Sequence, residues 1–292
     1  VNRWIFAPIV LGSAAAHAAT FPPDASYVPW RCGLAPMTDP RADQPPALGE
    51  RDLVGEAGAA AGLRASDAQT LYLRIRLDRD PAAGGVVQPF AWGMEFDLDG
   101  DLSTYELLIT ADGIGSPAGT VSVFTHDTTV TANDPADPAD APAAATFAFA
   151  DVARTIAAGT TTGGDADFFL DLAIPWSTLI PLGLDHATRT HVWAGSSTVA
   201  DALDGDLACF DGHGGAGRAV LDTSASAQTT GDPALDPTGD GGGGDGGGGG
   251  GATGELRLEG GSGCQAGGGL GLGALAGVIA ALGLGRRRRR VG

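Results

Sequence analysis

The sequence predicts an all-β fold, an antiparallel β-sandwich domain. Short segments alternate apolar and polar residues with period two, and clusters of Gly, Pro and Asp separate them. No stretch carries the apolar repeat of a long amphipathic helix. Many strands and few helices bury their apolar faces by packing sheet on sheet.

The strands follow in chain order. Leu71-Tyr72-Leu73-Arg74-Ile75-Arg76-Leu77 alternates without a break. Trp92, Met94 and Phe96 alternate with Gly93, Glu95 and Asp97, and Phe168, Leu170, Leu172 and Ile174 alternate with Asp167, Phe169, Asp171 and Ala173. Each reads as a half-buried strand. Residues 105–110, 120–125, 146–149 and 191–196 are further strands, and 133–145, with Asp-Pro twice, reads as a long surface loop. Arg74 and Arg76 share one strand face, as do Glu95 and Asp97. Opposite charges on neighbouring strands attract by about 0.2–1 kcal/mol, so these two faces are expected to meet within one sheet.

Composition narrows the setting. The chain has 17 basic residues, all Arg, and 35 acidic ones, a net charge of −18. Arg3 and Arg286 to Arg290 lie outside the acidic region, which leaves eleven Arg against 35 acids, a net of −24. Such a surface repels nucleic acid and anionic lipid. A high-GC codon bias alone would produce it; solubility in a salty medium is the functional alternative. Cys32 and Cys209 fall near the two ends of the folded region, and a disulfide between them is expected in an oxidising compartment. It would close a loop of about 178 residues and contribute on the order of 5 kcal/mol in loop entropy. Two buried free thiols are the alternative.

Both ends read as export signals. Asn2-Arg3, the apolar stretch Trp4 to Leu11 and the small residues ending Ala16-His17-Ala18 form a signal peptide over 1–18, with cleavage between Ala18 and Ala19. The domain spans 19–228. Residues 229–263, rich in Gly and Asp, cannot bury enough apolar surface to fold and read as a disordered linker with a reach of roughly 30–35 Å. Residues 264–292 follow: Cys264, an uncharged span over 266–285, and the Arg cluster 286–290. A helix over that span is roughly 30 Å long, enough for one transmembrane crossing. The arginines would hold the cytoplasmic side and place the rest outside. Its many glycines each cost about 1 kcal/mol in a helix, so the span inserts marginally and opens easily.

The Gly-rich approach 260–263, Cys264, the span and the arginines resemble the MYXO-CTERM sorting signal of bacterial surface proteins. The resemblance implies a sorting protease as partner, processing or lipidation at Cys264, and delivery to the cell surface or outer membrane. An uncleaved single-pass anchor is the other reading of the same tail. The stretches 50–55, 71–81, 92–101 and 169–176 resemble DOMON-like and family 9 carbohydrate-binding β-sandwiches. That resemblance implies the fold and suggests a glycan or surface protein as ligand.

The strongest polar constellation is Asp97-Leu98-Asp99-Gly100-Asp101. Three carboxylates at spacing two can turn oxygens toward one hard cation, so Asp97, Asp99 and Asp101 are candidate ligands for a structural Ca²⁺. The other reading is a hairpin turn between the Trp92 and Tyr105 strands. A glycan platform would have to draw on Tyr72, Tyr105, Trp176 and Trp193. His186 and His191 have no partner motif and read as surface residues. No nucleophile elbow, phosphate loop or metalloprotease helix occurs. The chain is therefore expected to be a non-enzymatic binding or display module without cofactor, with a hydrolase using a carboxylate pair as the alternative.

Overall fold

The computed structural model describes residues 18–43, 48–162, 164–209 and 227–231. The chain divides into two units, Val1–Gly243 and Gly244–Gly292, and every described residue lies in the first. The predicted signal segment up to residue 17, Cys264, the span and the arginines lie outside the described residues, as does the linker beyond Gly231. Among the described residues no helix is long and apolar enough to cross a membrane.

The domain is all-β and antiparallel. One sheet joins β1 (Val28–Pro29), β4 (Gly62–Ser66), β5 (Thr70–Leu77), β11 (Phe168–Pro175) and β10 (Ala153–Ala157) in that order. The other joins β13 (Gln228–Thr229), β12 (Arg189–Ser197), β6 (Ala91–Asp97), β7 (Leu107–Asp112), β8 (Thr120–Thr125) and β9 (Ala145–Ala148). A hairpin of β2 (Arg31–Cys32) and β3 (Ala35–Pro36) stands apart. The two described α-helices, α1 (Phe149–Val152) and α2 (Trp176–Leu179), are single turns. The fold runs past the expected start of the linker. Thr229 is in β13, Thr230 is buried with its hydroxyl on the Asp185 carbonyl at 2.6 Å, and Ser66 bonds the Gly231 carbonyl at 2.5 Å.

Alternation explains how the sheets face. Leu71, Leu73, Ile75 and Leu77 of β5 and Leu170, Leu172 and Ile174 of β11 join Trp92, Met94 and Phe96 of β6 in one buried cluster. Each such side chain contributes about 1.5–3 kcal/mol on leaving water. The partner residues therefore point outward, in opposite directions on the two sheets. This overturns the expected pairing of Arg74 and Arg76 with Glu95 and Asp97, because β5 and β6 lie in different sheets. Arg74 instead sits opposite Asp171 on β11, with its Nε at 2.6 Å and Nη2 at 2.9 Å from that carboxylate.

Neither outer face is left to solvent. Phe21, Asp24 and Tyr27 lie against the arginine face: Asp24 takes Arg74 Nη2 at 2.9 Å, and the Tyr27 ring lies 3.7 Å from the same guanidinium. On the other sheet, Ala139 of the 133–145 loop and Leu203 and Leu207 pack on Tyr105, Leu108, Phe124 and Trp193. Gly195 makes this possible, because a Cβ there would fall 2.6 Å from Leu207 Cδ2 and 2.8 Å from the Asp206 carbonyl. The expected surface loop is a cover, and its own Asp134 and Asp137 are buried.

The expected disulfide is present, joining Cys32 to Cys209 with Cα atoms 5.6 Å apart. Residues 206–208 run beside β12, where Ser196 N–H donates to the Asp206 carbonyl at 2.8 Å and Ala208 N–H to Ala194 at 2.9 Å. Cys209 N–H then donates to the Thr38 carbonyl at 2.9 Å. The return strand is thereby fixed beside the segment that leads from β3.

Candidate functional site

The Asp97 turn leaves the end of β6. Asp97 Oδ1 accepts the N–H groups of Asp99 at 3.1 Å and Gly100 at 2.7 Å, and Oδ2 faces Nδ1 of His191 at 3.0 Å. Gly100 has φ of +86°, the left-handed conformation that favours glycine. Asp99 accepts Asp101 N–H at 2.8 Å, and Asp101 accepts Ser103 N–H at 3.1 Å and its hydroxyl at 2.7 Å. The carboxylate gathered with Asp97 and Asp99 is Glu106, with facing oxygens within 4.8 Å. Asp101 is held instead in its own turn. Glu106 in turn accepts Leu98 N–H at 2.6 Å. Backbone donors engage each of these carboxylates, which is the chemistry of a hairpin turn.

A second acidic centre lies at the disulfide end of the domain. Facing carboxylate oxygens of Asp39, Asp43 and Asp206 fall within 4.8 Å of one another. Asp39 and Asp206 are each 1% exposed, and Asp52 beside them is 3% exposed. Three segments place them. Asp39 and Gly55 exchange backbone hydrogen bonds at 3.0 Å each way, Asp206 Oδ2 accepts Leu53 N–H at 2.5 Å, and Asp52 Oδ2 accepts Ala42 N–H at 3.0 Å. Among the described residues, no hydrogen-bond donor reaches either oxygen of Asp39, Oδ1 of Asp206 or Oδ1 of Asp52. Burial first, then the neighbouring carboxylates Asp206 and Asp43, push the Asp39 carboxyl well above its ordinary range. Burial does the same for Asp206, and raises Asp52 to about 7. Local spacing does not reveal this centre. The expected disulfide could have, because Asp39 and Asp43 follow Cys32 while Asp204 and Asp206 precede Cys209.

Glu95 forms a third polar centre. It is fully buried on the outer face of β6, opposite Trp193 and Leu108, and among the described residues no donor reaches either carboxylate oxygen. Burial, then Asp134 and Asp137, hold its carboxyl well above the usual range. Nearby His126 stacks on Tyr105 at 4.2 Å, sets Nδ1 at 2.8 Å from the Tyr105 carbonyl and faces Asp137 at 3.3 Å through Nε2. Both ring nitrogens thus point at protein groups.

A pH dependence follows from Glu95. The fold keeps a proton that the unfolded chain releases above about pH 4.3. Stability therefore falls as pH climbs from there toward the raised folded-state value. Glu95→Gln removes this contribution. Denaturant midpoints of variant and parent at about pH 5 and about pH 7.5 should diverge in favour of the variant at the higher pH. A difference independent of pH would count against a buried neutral Glu95.

The remaining candidates resolve simply. Tyr72, Tyr105, Trp176 and Trp193 are all buried, at 6%, 1%, 2% and 1% exposure, so none presents a ring for a sugar to stack on. Trp176 donates Nε1–H to the Asp67 carbonyl at 2.9 Å, and exposed His186 lies against its ring. Comparison with known protein families, curated proteins and solved structures finds no match to this chain.

Proposed function

We propose that the chain is an exported, surface-held and non-catalytic β-sandwich protein that serves as a binding or display module. In this reading the Gly-rich linker tethers the domain, and the single C-terminal span is an anchor or a sorting signal read at Cys264. The observation that carries the proposal is the Cys32–Cys209 disulfide closing the end of the domain. Such bonds persist outside the reducing cytoplasm. A second contact agrees: Ala19 N lies 2.7 Å from the Asp151 carbonyl. Cleavage after Ala18 would leave the new terminal ammonium donating to that oxygen. The acidic surface disfavours nucleic acid as the partner.

The test is intact mass spectrometry of the protein recovered from the cell surface and from the cytoplasm. The expected species is extracellular, starts at Ala19, carries an oxidised Cys32–Cys209 pair, and is cleaved or lipidated at Cys264. A cytoplasmic chain with reduced thiols and an intact N-terminal segment would overturn the proposal.

A further inference from the structure

We propose that Asp39, Asp43 and Asp206 form a binding site for a hard divalent cation of the calcium class, with Asp52 at its margin. Three chain segments supply the carboxylates, and the site closes the same end of the domain as the disulfide.

Two separate observations support the site. The first is convergence: the facing oxygens of the three carboxylates fall within 4.8 Å of one another. Oxygens on opposite sides of a Ca²⁺ ion, each about 2.3–2.6 Å from it, are separated by about that distance. The second is that, among the described residues, no donor reaches the most deeply buried of these oxygens. Asp39 is 1% exposed and neither of its oxygens meets a donor among the described residues. Asp206, equally buried, leaves Oδ1 in the same condition while Leu53 N–H holds Oδ2. Buried polar atoms almost always find a hydrogen bond or an ion, and buried charges are paired or coordinate metals. The charges that act most strongly on Asp39 are Asp206, Asp43 and Asp52, which are carboxylates like itself.

The donor set selects the ion. All donors are carboxylate oxygens, which suits Ca²⁺ and does not suit the softer metals that take Cys or His. The Asp97 turn is the contrast: its carboxylates also converge, yet backbone N–H groups already hold them. Binding at the Asp39 centre would join the segment after β3, the Leu53 segment and the 206–208 return. The site is independent of the export proposal, since it rests on geometry within the domain.

The experiment uses the full chain, stripped with a chelator and then titrated with Ca²⁺ to about 10 mM, at affinities usual for extracellular modules. The melting temperature should rise by about 3–10 °C. Asp39→Asn should abolish the rise, and Asp99→Asn, in the other acidic turn, should retain it. Hydrogen exchange of the unmutated chain locates the site without a variant: Ca²⁺ should slow exchange at Ala42 and Leu53 and leave Asp99 and Gly100 unchanged. No rise in melting temperature and no bound Ca²⁺ by native mass spectrometry would overturn the proposal in favour of a proton shared by Asp39 and Asp206. A rise retained in Asp39→Asn but lost in Asp99→Asn, or protection confined to Asp99 and Gly100, would also overturn it and assign the site to the turn.

Discussion

Replacing Cys32 and Cys209 together by alanine will lower the free energy of unfolding by up to about 5 kcal/mol. The bond spans 177 residues, so its loss frees nearly the whole domain in the unfolded state. At about 2–4 °C per kcal/mol for a domain of this size, the melting temperature should drop by roughly 10–20 °C. Thermal unfolding of the variant, or of the parent in reductant, measures it. The native fold has little to rearrange, because Cys209 N–H remains bonded to Thr38 and Ala208 N–H to Ala194. An unchanged melting temperature would mean that the unfolded chain keeps these ends together without the bond.

Asp171→Ala should cost about 3–5 kcal/mol, the usual penalty for stranding one half of a buried ion pair. Asp171 is fully buried and binds two arginines, Arg74 through Nε and Nη2 and Arg154 through Nε at 2.8 Å. Arg74 is itself 1% exposed between the rings of Tyr27 and Phe169. Without Asp171 its charge has Asp24, whose side chain is 72% exposed, as its remaining ion-pair partner. Asp24→Ala is the internal control: an exposed partner contributes about 0–1 kcal/mol. Urea denaturation of the two variants should separate them by about 2–5 kcal/mol. Equal losses would show that the arginine face is held by the N-terminal segment as a whole and not by the Asp171 pair.

Much of the fold was legible because a strand's periodicity is local. The Leu71, Trp92 and Phe168 runs coincide with β5, β6 and β11, and the 120–125 strand matches β8. Short strands without clear alternation, such as β1 and β4, gave no signal. The polar residues on the outer faces misled the reading of exposure. Alternation is a reliable sign of which residues share a face, but says nothing of what else covers that face. Glu95 and Asp97 look like solvent-facing residues in sequence, yet both are buried, and Asp97 meets His191 of β12. The Asp97 turn was visible because its carboxylates are adjacent. The Asp39 centre was not, because its members come from opposite ends of the domain.

The class of fold, the long strands and the cysteine pair were readable from the order of residues. The first two follow from side-chain period and turn chemistry, which can be read within a short window, and the third from the scarcity of cysteine along the whole chain. Which strands are neighbours, which arginine meets which aspartate, and where acids converge became visible in three dimensions. Those outcomes depend on how two sheets turn their apolar faces toward each other. That arrangement sends Arg74 and Glu95 to opposite sides of the domain, and the Cys32–Cys209 closure brings Asp39 to Asp206.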